Sequence, residues 1–474
     1  MSNIADLIRS REEHQPVLEA ASQLGQEQGL TPYVVGGYVR DLILQRPNHD
    51  IDLVIAGDGI AFAHALAERL GVGKVVEYAK FGTALIPMQG LEVEVATARS
   101  EIYQPDSRKP SITAGDVETD LSRRDFTVNA LAASLGRESF GDLLDPYTGI
   151  QDMRKGILRT PLDPDTTFRD DPLRMLRAAR FAAQLEFEVV ADGLASIARN
   201  KERISIISRE RITGEIMKLL SANRPSTGFF ILKETGLLAY VFPELDVLSG
   251  VEVRDGRGHK DVFTHTLQVV DNAAAASGKT ALRFAGLVHD IGKPMTKRYH
   301  AQSGWTFHHH EEVGRRMLEE VARRMRLSNE LRNYLMKLTR LHLRPIALAK
   351  EGVTDSAVRR VMHEAGDDVD DLMILCRADI TTKQAALQKR YLGNFERVEQ
   401  LMGDVTLRDE MRAFQSPVRG DEIMVECALE PGPLVGRLKR AIESAILDDR
   451  IPNTREAALA YLREIKDEIL STPS

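Results

Sequence analysis

Two aspartates, Asp50 and Asp52, open the run DIDLVI. Side chains alternate along a strand, so both carboxylates leave one face. Carboxylates that converge repel each other and call for a cation. Mg²⁺ prefers oxygen ligands and also binds substrate phosphates, so it suits the pair. Upstream, Gly36 and Gly37 close the run YVVGG. Glycine lets the backbone approach a phosphate closely and offer it N–H groups. Arg40 and Asp41 stand one turn further on, with Arg40 in reach of a phosphate. Glu92 and Glu94 alternate in LEVEVAT, and one of them is a candidate third ligand. A D-x-D pair alone is common on a solvated strand edge. Double glycine, then Arg-Asp, then D-x-D is far more specific.

A second constellation lies in the later half. His265 sits in DVFTHTLQVV, His289 and Asp290 in LVHDIGKP, His308, His309 and His310 in WTFHHHEEVG, and Asp379 in LCRADI. Mixed imidazole and carboxylate ligands suit a transition metal or Mg²⁺. An adjacent His-Asp pair can bind one ion or straddle two. His342, in LHLRP, is a candidate donor behind the ligands.

These groups need elements to hold them. TPYVVGG is a β-branched run stopped by two glycines, a strand entering a tight turn. IDLVIAG (51–57) reads as a second strand, and GIAFAHALAERLG (59–71) as a helix with a glycine stop. KVVEY, GTALIPM and LEVEVAT read as further strands, giving a first region that runs to about residue 155. Beyond it strand signals nearly vanish. DPLRMLRAARFAAQL, RITGEIMKLL, STGFFILKETGLLAYVF and HEEVGRRMLEEVARRM carry helical spacing. A Gly- and charge-rich loop (250–260) and a Pro/Gly stretch (415–436) punctuate this body. The expected fold class is α+β: a small head with a mixed or antiparallel sheet, then a long, mostly helical body.

Composition limits the function classes. At 474 residues the chain holds about three domains' worth of sequence. Apolar residues at 43% and charged residues at 28% exclude a disordered, collagenous or disulfide-scaffold protein. Cys376 and Cys427 lack metal-type spacing and point to a reducing, cytoplasmic compartment. No apolar run approaches the ~18 residues of a membrane span, so no membrane partner is expected. Residues 1–29 read as a charged amphipathic helix rather than a signal peptide. A net charge of −7 excludes a generic polybasic coat for nucleic acid but leaves room for a local basic groove.

The run VVGGYVRDLILQRPNHDIDLV (34–54) resembles the head of the class II nucleotidyltransferase superfamily, which holds tRNA nucleotidyltransferases (adding CCA, CC or A) and bacterial poly(A) polymerases. Further blocks follow in the family's order: SRRDFTVNALA (122–132), DPYTGIQDMRKGILRT (145–160), DDPLRMLRAARFAAQL (170–185) and SRERITGEIMKLL (208–220). The resemblance runs from about residue 30 to 245, and an ordered series of this kind is very specific. It implies that Asp50 and Asp52 hold two metal ions, one activating an RNA 3′-hydroxyl and one neutralising the triphosphate. It favours Glu94, which precedes Val95-Ala96-Thr97, as the third acidic ligand. Asp171 and Arg174, taken as i and i+3 on one helix face, are implied to read the base. Cytosine and adenine both present an amine beside a ring-nitrogen acceptor. Uracil and guanine present a carbonyl that Asp171 would repel. Arg177 and Arg180 continue the face toward the triphosphate. Arg123 or Arg124 would meet the nucleotide, with Asp125 and Asn129 ordering the loop or touching the sugar. EYAKFGTALIPM looks like the tRNA-specific branch. SEIYQPDSRKPSI (100–112) reads as a mobile polar loop, which in that branch helps the switch from C to A.

The histidine constellation resembles the HD phosphohydrolase superfamily, with its His, His-Asp, further His and Asp. The resemblance implies His265, His289, Asp290 and Asp379 as divalent-metal ligands. It adds His310, which precedes Glu311 as the family's further His precedes a Glu. The expected organisation is a catalytic head (1–155), a helical nucleotide- and RNA-binding neck (156–250), an HD metal-binding domain (251–390) and a helical tail (391–474) resembling a tRNA-binding region. The expected function is addition of C and/or A to the 3′ end of tRNA from CTP and ATP, with HD phosphohydrolase activity as a possible addition. The alternatives are a bacterial poly(A) polymerase, and an HD phosphohydrolase whose head only binds RNA or nucleotide. A pure binding module has no need of Asp50, Asp52, Asp171 and Arg174 together.

Overall fold

Hydrophobic alternation builds the head. The computed structural model describes residues 2–471, apart from 49, 105–106, 256, 259–260, 350–352, 383, 414–415 and 448–449. Its side chains are described for the same residues except 99–114, 257–258, 408–413, 447, 468 and 470–471. The strands are β1 (Tyr33–Val35), β2 (Asp50–Ile55), β3 (Val76–Tyr78), β4 (Thr83–Met88), β5 (Leu91–Thr97), β6 (Arg99–Gln104), β7 (Ser107–Ala114), β8 (Ala132–Ser134) and β9 (Leu143–Leu144). Seven of them form one sheet in the order β3-β4-β5-β2-β1-β8-β9. The sheet is mixed: β2 runs parallel to β5, while β1 pairs antiparallel with both β2 and β8. The β2–β5 register sets Asp50 beside Glu92 and Asp52 beside Glu94. Ile51, Leu53, Val93 and Val95 are buried, and alternation puts the four acidic residues on the opposite face. Helix Gly59–Arg69, capped by the Asp58 carboxylate, packs Phe62 and Leu66 against β4 and β5. Burying each such side chain contributes roughly 1.5–3 kcal/mol.

Beyond the head the chain is helical. Arg283, buried at 7% exposure, joins the ends of two helices. It donates to Leu220 O and Ala222 O at 2.9 Å and to Ser277 O at 3.0 Å. The carbonyls at the close of helices Arg209–Leu220 and Val262–Ala276 therefore find a partner. Gly292 permits another close approach, since a Cβ there would lie 2.2 Å from His310 O. That contact sets the start of helix His310–Arg324 beside His289 and Asp290.

Residues 1–347 and 365–392 form one compact unit, and residues 348–364 and 393–474 form another. The second has its own apolar core of Val418, Ile423, Leu438, Ile442, Ile446, Ala458 and Leu462. These side chains come from the Val418 region and from helices Gly420–Cys427, Pro433–Leu447 and Arg455–Ser471. No described helix is long and apolar enough to cross a membrane.

Two expectations are corrected. Residues 100–112 belong to a two-stranded ribbon in which β6 pairs antiparallel with β7, although 105–106 lie outside the described residues. The sequence of this stretch, SEIYQPDSRKPSI, carries no sustained apolar–polar alternation from which strands could be read. The N-terminal helix is split into Ala5–Arg9, a 3₁₀ turn at Glu12–His14 and Gln15–Gln28. Pro16 stands in the first turn of the last segment, where a missing N–H costs nothing.

Candidate active site and candidate metal centre

The turn after β1 opens the first site. Gly36 has φ +67°, and a Cβ there would lie 2.3 Å from a terminal nitrogen of Arg124. Glycine therefore supplies both the backbone conformation and the room for that guanidinium. A cavity of about 400 Å³ follows. Gly37, Arg40, Asp41, Asp50 and Asp52 line it from the sheet side. Arg123, Arg124, Asp125 and Asn129 line it from the next block, and Asp171, Arg174, Arg177 and Arg180 from the helical side. Gly36 and Glu94 are not among the lining residues. Glu94 stands beside Asp52 across the β2–β5 pair.

The side chains are cross-braced. Arg40 donates to both oxygens of Asp41 at 2.8 Å and to Asn129 Oδ1 at 2.6 Å. Asn129 in turn donates to Asp125 Oδ1 at 2.8 Å, and Arg177 Nε to Asp125 Oδ2 at 2.6 Å. Burial alone would raise the Asp125 carboxyl, but Arg177 and the Asn129 amide outweigh it and hold it at about 2. Burial pushes Asp52 upward. Arg124 opposes that shift, while neighbouring Asp50 adds to it. Two clustered carboxylates under that strain suit a divalent cation.

Asp171 is not helical. It lies between helices Pro164–Asp170 and Leu173–Leu185 with φ −131° and ψ 98°. The residue before a proline is driven out of the α region, and Pro172 follows. Asp171 Oδ1 instead accepts from Leu173 N at 3.2 Å. Arg174 still faces the same cavity, and its guanidinium donates to Arg123 O. Arg180 donates to Glu215 Oε2 at 2.6 Å.

The sequence reading missed several lining residues. Tyr38, Asn48 and Phe181 also line the cavity. The guanidinium carbons of Arg180, Arg40 and Arg177 lie 3.9, 5.2 and 5.4 Å from the Phe181 ring centroid. One aromatic face thus spaces three cations. Asp120 was missed as well. It is 1% exposed and accepts from Arg123 on Oδ1 at 2.8 Å and from Arg124 on Oδ2 at 3.1 Å. Burial alone would raise its carboxyl, but Arg124 and Arg123 hold it below the ordinary range. The pair spacing i+3 and i+4 was the available signal. Asp120→Asn keeps the shape and frees both arginines. Its nucleotide kcat/KM is expected to fall by about 10²-fold, the scale of a 1 Å misplacement, in steady-state kinetics. An unchanged value would show that the arginines are held by other groups.

The second site gathers ligands from helix ends. His289, His342 and Asp379 each follow the last residue of a helix, Thr280–Val288, Asn329–Leu341 and Val369–Ala378. The negative end of the helix dipole favours a cation there. His265 lies in helix Val262–Ala276, and His310 begins its own helix. Asp290 is central. Its oxygens lie 3.5, 3.3, 3.2 and 3.9 Å from Nε2 of His265, His289, His310 and His342. Asp379 Oδ1 is 2.9 Å from His265 Nε2. Each imidazole is oriented from behind. Nδ1 of His289, His310 and His342 lies 2.7 Å from a backbone carbonyl, and Nδ1 of His265 lies 2.8 Å from Thr381 Oγ1. Nε2 is thus left for a central ion. His308 and His309 are exposed. His342, expected behind the ligands, has its Nε2 3.3 Å from His310 Nε2. Lys293, unforeseen, donates to Asp290 Oδ2 at 2.5 Å.

Comparison with known proteins places the chain. Residues 32–159 match the poly A polymerase head domain, 186–248 the "Probable RNA and SrmB-binding site of polymerase A", and 262–383 the HD domain. The multifunctional CCA protein of Chromobacterium violaceum is 36% identical over 334 residues, covering 69% of this chain and 77% of that one. The chain belongs to the multifunctional CCA protein family. The fold is also similar to that of the Bacillus stearothermophilus CCA-adding enzyme in complex with CTP, at 23% identity and a TM-score of 0.60 over 96% of this chain and 98% of that one. A tRNA nucleotidyltransferase complexed with a primer tRNA and an incoming ATP analog aligns at 22% identity and a TM-score of 0.58, over 80% of this chain and 99% of that one.

The second site's donors fit a divalent metal, as expected of an HD domain. Two triads, His265–His289–Asp379 and Asp290–His310–His342, each bring their donor atoms within 4.8 Å of one another. His289 Nε2 is buried without a well-formed hydrogen bond, although carboxylate oxygens lie 3.3 and 3.6 Å away. Burial alone would lower the His289 imidazole, but Asp290 and Asp379 raise it to about 10. The proton it then carries occupies the place a cation would take.

Proposed function

We propose that this chain adds C and A to the 3′ end of tRNA from CTP and ATP, releasing pyrophosphate. One observation carries the reading: a single cavity joins the Asp50–Asp52 pair, the arginine cluster and the Asp171–Arg174 pair. Mg²⁺ held by Asp50 and Asp52, with Glu94 beside them, would activate the 3′-hydroxyl and neutralise the triphosphate. The rest of the work is positioning and charge. Arg40, Arg123, Arg124, Arg177 and Arg180 bind the triphosphate. Asp171 accepts from the exocyclic amine of cytosine or adenine, and Arg174 donates to the adjacent ring nitrogen. The solved neighbours' complexes with CTP, an ATP analog and primer tRNA support this reading. At the second site, His265, His289, Asp290, His310 and Asp379, joined by His342, hold a divalent metal that serves phosphate-ester hydrolysis. Cys376 and Cys427 are free thiols, which supports a cytoplasmic setting.

The test supplies purified protein with tRNAs ending before CCA, at C and at CC, and labelled CTP or ATP. Addition is expected to stop once the end is complete. No incorporation on any of the three tRNAs would sink the proposal. The match to a poly A polymerase head supports adenylate tailing as a second reading. Unlimited incorporation of A would select it.

A further inference from the structure

We infer that the front of the head's sheet, from Glu94 across Leu85 to Val76 and Tyr78, is a shelf for the last nucleoside of the RNA being extended. The inference rests on the function proposed above and adds where the second substrate lies.

Strand register builds the shelf. Asp52 stands beside Glu94 across the β2–β5 pair, Glu94 beside Leu85 across β5–β4, and Leu85 beside Val76 across β4–β3. Paired residues share a face, so this row lies on the side of the catalytic carboxylates. A second row joins Asp50, Glu92 and Pro87. Tyr78 follows Val76 by two residues and faces the same way. The opposite face is already used. There Glu77 meets His64 of helix Gly59–Arg69 at 2.7 Å, and Ala84, Ile86, Val93 and Val95 are buried. On the front, Val76, Leu85 and Pro87 are only half-buried, and Tyr78 is 46% exposed.

The two sides of the Asp50–Asp52 pair differ in charge. The cavity with its five arginines lies on one side, and its lining takes no described residue from β3, β4 or β5. The shelf lies on the other side. Among its described residues none is a cation, and Glu92 and Glu94 are exposed acids. The triphosphate therefore belongs with the arginines. In phosphoryl transfer the attacking and leaving oxygens stand roughly in line, so the hydroxyl approaches from the side away from the pyrophosphate. That is the shelf side. Glu92 and Glu94 repel a phosphate there, whereas the uncharged face of a base can lie on Leu85, Pro87 and Tyr78. Strands are about 4.8 Å apart, which puts Leu85 about 10 Å from Asp52, within the span of one nucleoside. Stacking tolerates any base, since every base has a π-face. Such tolerance suits an end whose last base changes as the RNA grows.

The test is a double-mutant cycle between the shelf and the RNA. It uses the full chain with Tyr78→Ala and Leu85→Thr, each assayed with CTP and tRNA ending at C, and with the same tRNA lacking the base of its last nucleotide. Threonine keeps strand propensity while withdrawing apolar surface. Each variant is expected to lower kcat/KM for the intact tRNA by about tenfold, as for loss of one stacked base. Removing the base should cost wild type a similar factor and the variants little more, because both changes delete one contact. Tyr78→Phe keeps the ring and should behave as wild type. An active wild type indifferent to the missing base overturns the inference alone. So do variants as active as wild type on intact tRNA, and variants that lose equally on both tRNAs. A wild type that incorporates nothing overturns the proposed function and the inference with it.

Discussion

Asp52→Ala is expected to cut incorporation of C and A by about 10³-fold or more, because losing a ligand of the catalytic ions removes several kcal/mol of transition-state stabilisation. Hydrolysis at the His–Asp site should persist in the same preparation. The two sites share no residue, and one stands on the sheet while the other stands on helix ends. Thermal stability should move the other way. Burial raises the Asp52 carboxyl above its ordinary range, so its ionised form is less favourable in the folded state than in the unfolded state. Above that range the charge opposes folding. The metal-free variant should therefore melt no lower than metal-free wild type at neutral pH, as functional groups often cost stability. Incorporation that survives the substitution would contradict the assignment. Loss of both activities would show that the sites depend on each other.

Asp290→Asn is expected to give the reverse pattern. Metal content, measured on protein dialysed against the divalent ion, should drop. Phosphate-ester hydrolysis should be lost while tRNA end addition persists. Asp290 is 1% exposed and lies against four imidazoles and Lys293, whereas Asp379 lies against only His265 and His289 among them. The variant should also lose a pH dependence. In chelated wild type, the raised His289 pKa means protonation stabilises the fold. That contribution is complete below the ordinary imidazole range and is lost as pH rises through about 10. With Asp290 neutral, the stability curve over this window should flatten. Full metal binding and hydrolysis in Asp290→Asn would overturn the ligand assignment.

The sequence made some of this arrangement legible, and physical reasons explain the rest. Asp50 and Asp52 could be placed on one face because strand alternation has a strict period. The head's strands and the helical body followed from the same kind of periodicity, while the parallel β2–β5 pairing that makes the sheet mixed appears only in the fold. What periodicity cannot show is which distant group meets which. Arg177 finds Asp125 from 52 residues away and Arg174 finds the Arg123 carbonyl from 51. Phe181 looked like one more apolar residue of a helix, yet it carries three guanidiniums. Asp171 was assigned to a helix by spacing, and Pro172, present in the same run, was the signal against it. His342 could be named from sequence only as a donor behind the ligands, and folding turns its ring toward His310.

The chain's one tryptophan, Trp305, belongs to the unit of residues 1–347 and 365–392. The core around Ile423, Leu438, Ile442 and Leu462 belongs to the other. Tryptophan fluorescence, excited at the red edge where tyrosines such as Tyr461 of the second core do not absorb, therefore watches one unit and is blind to the other, whereas far-UV ellipticity sums the helices of both. A midpoint taken from fluorescence is a property of the fluorescent unit. Only superimposable curves from the two probes would license a single unfolding free energy for the whole chain.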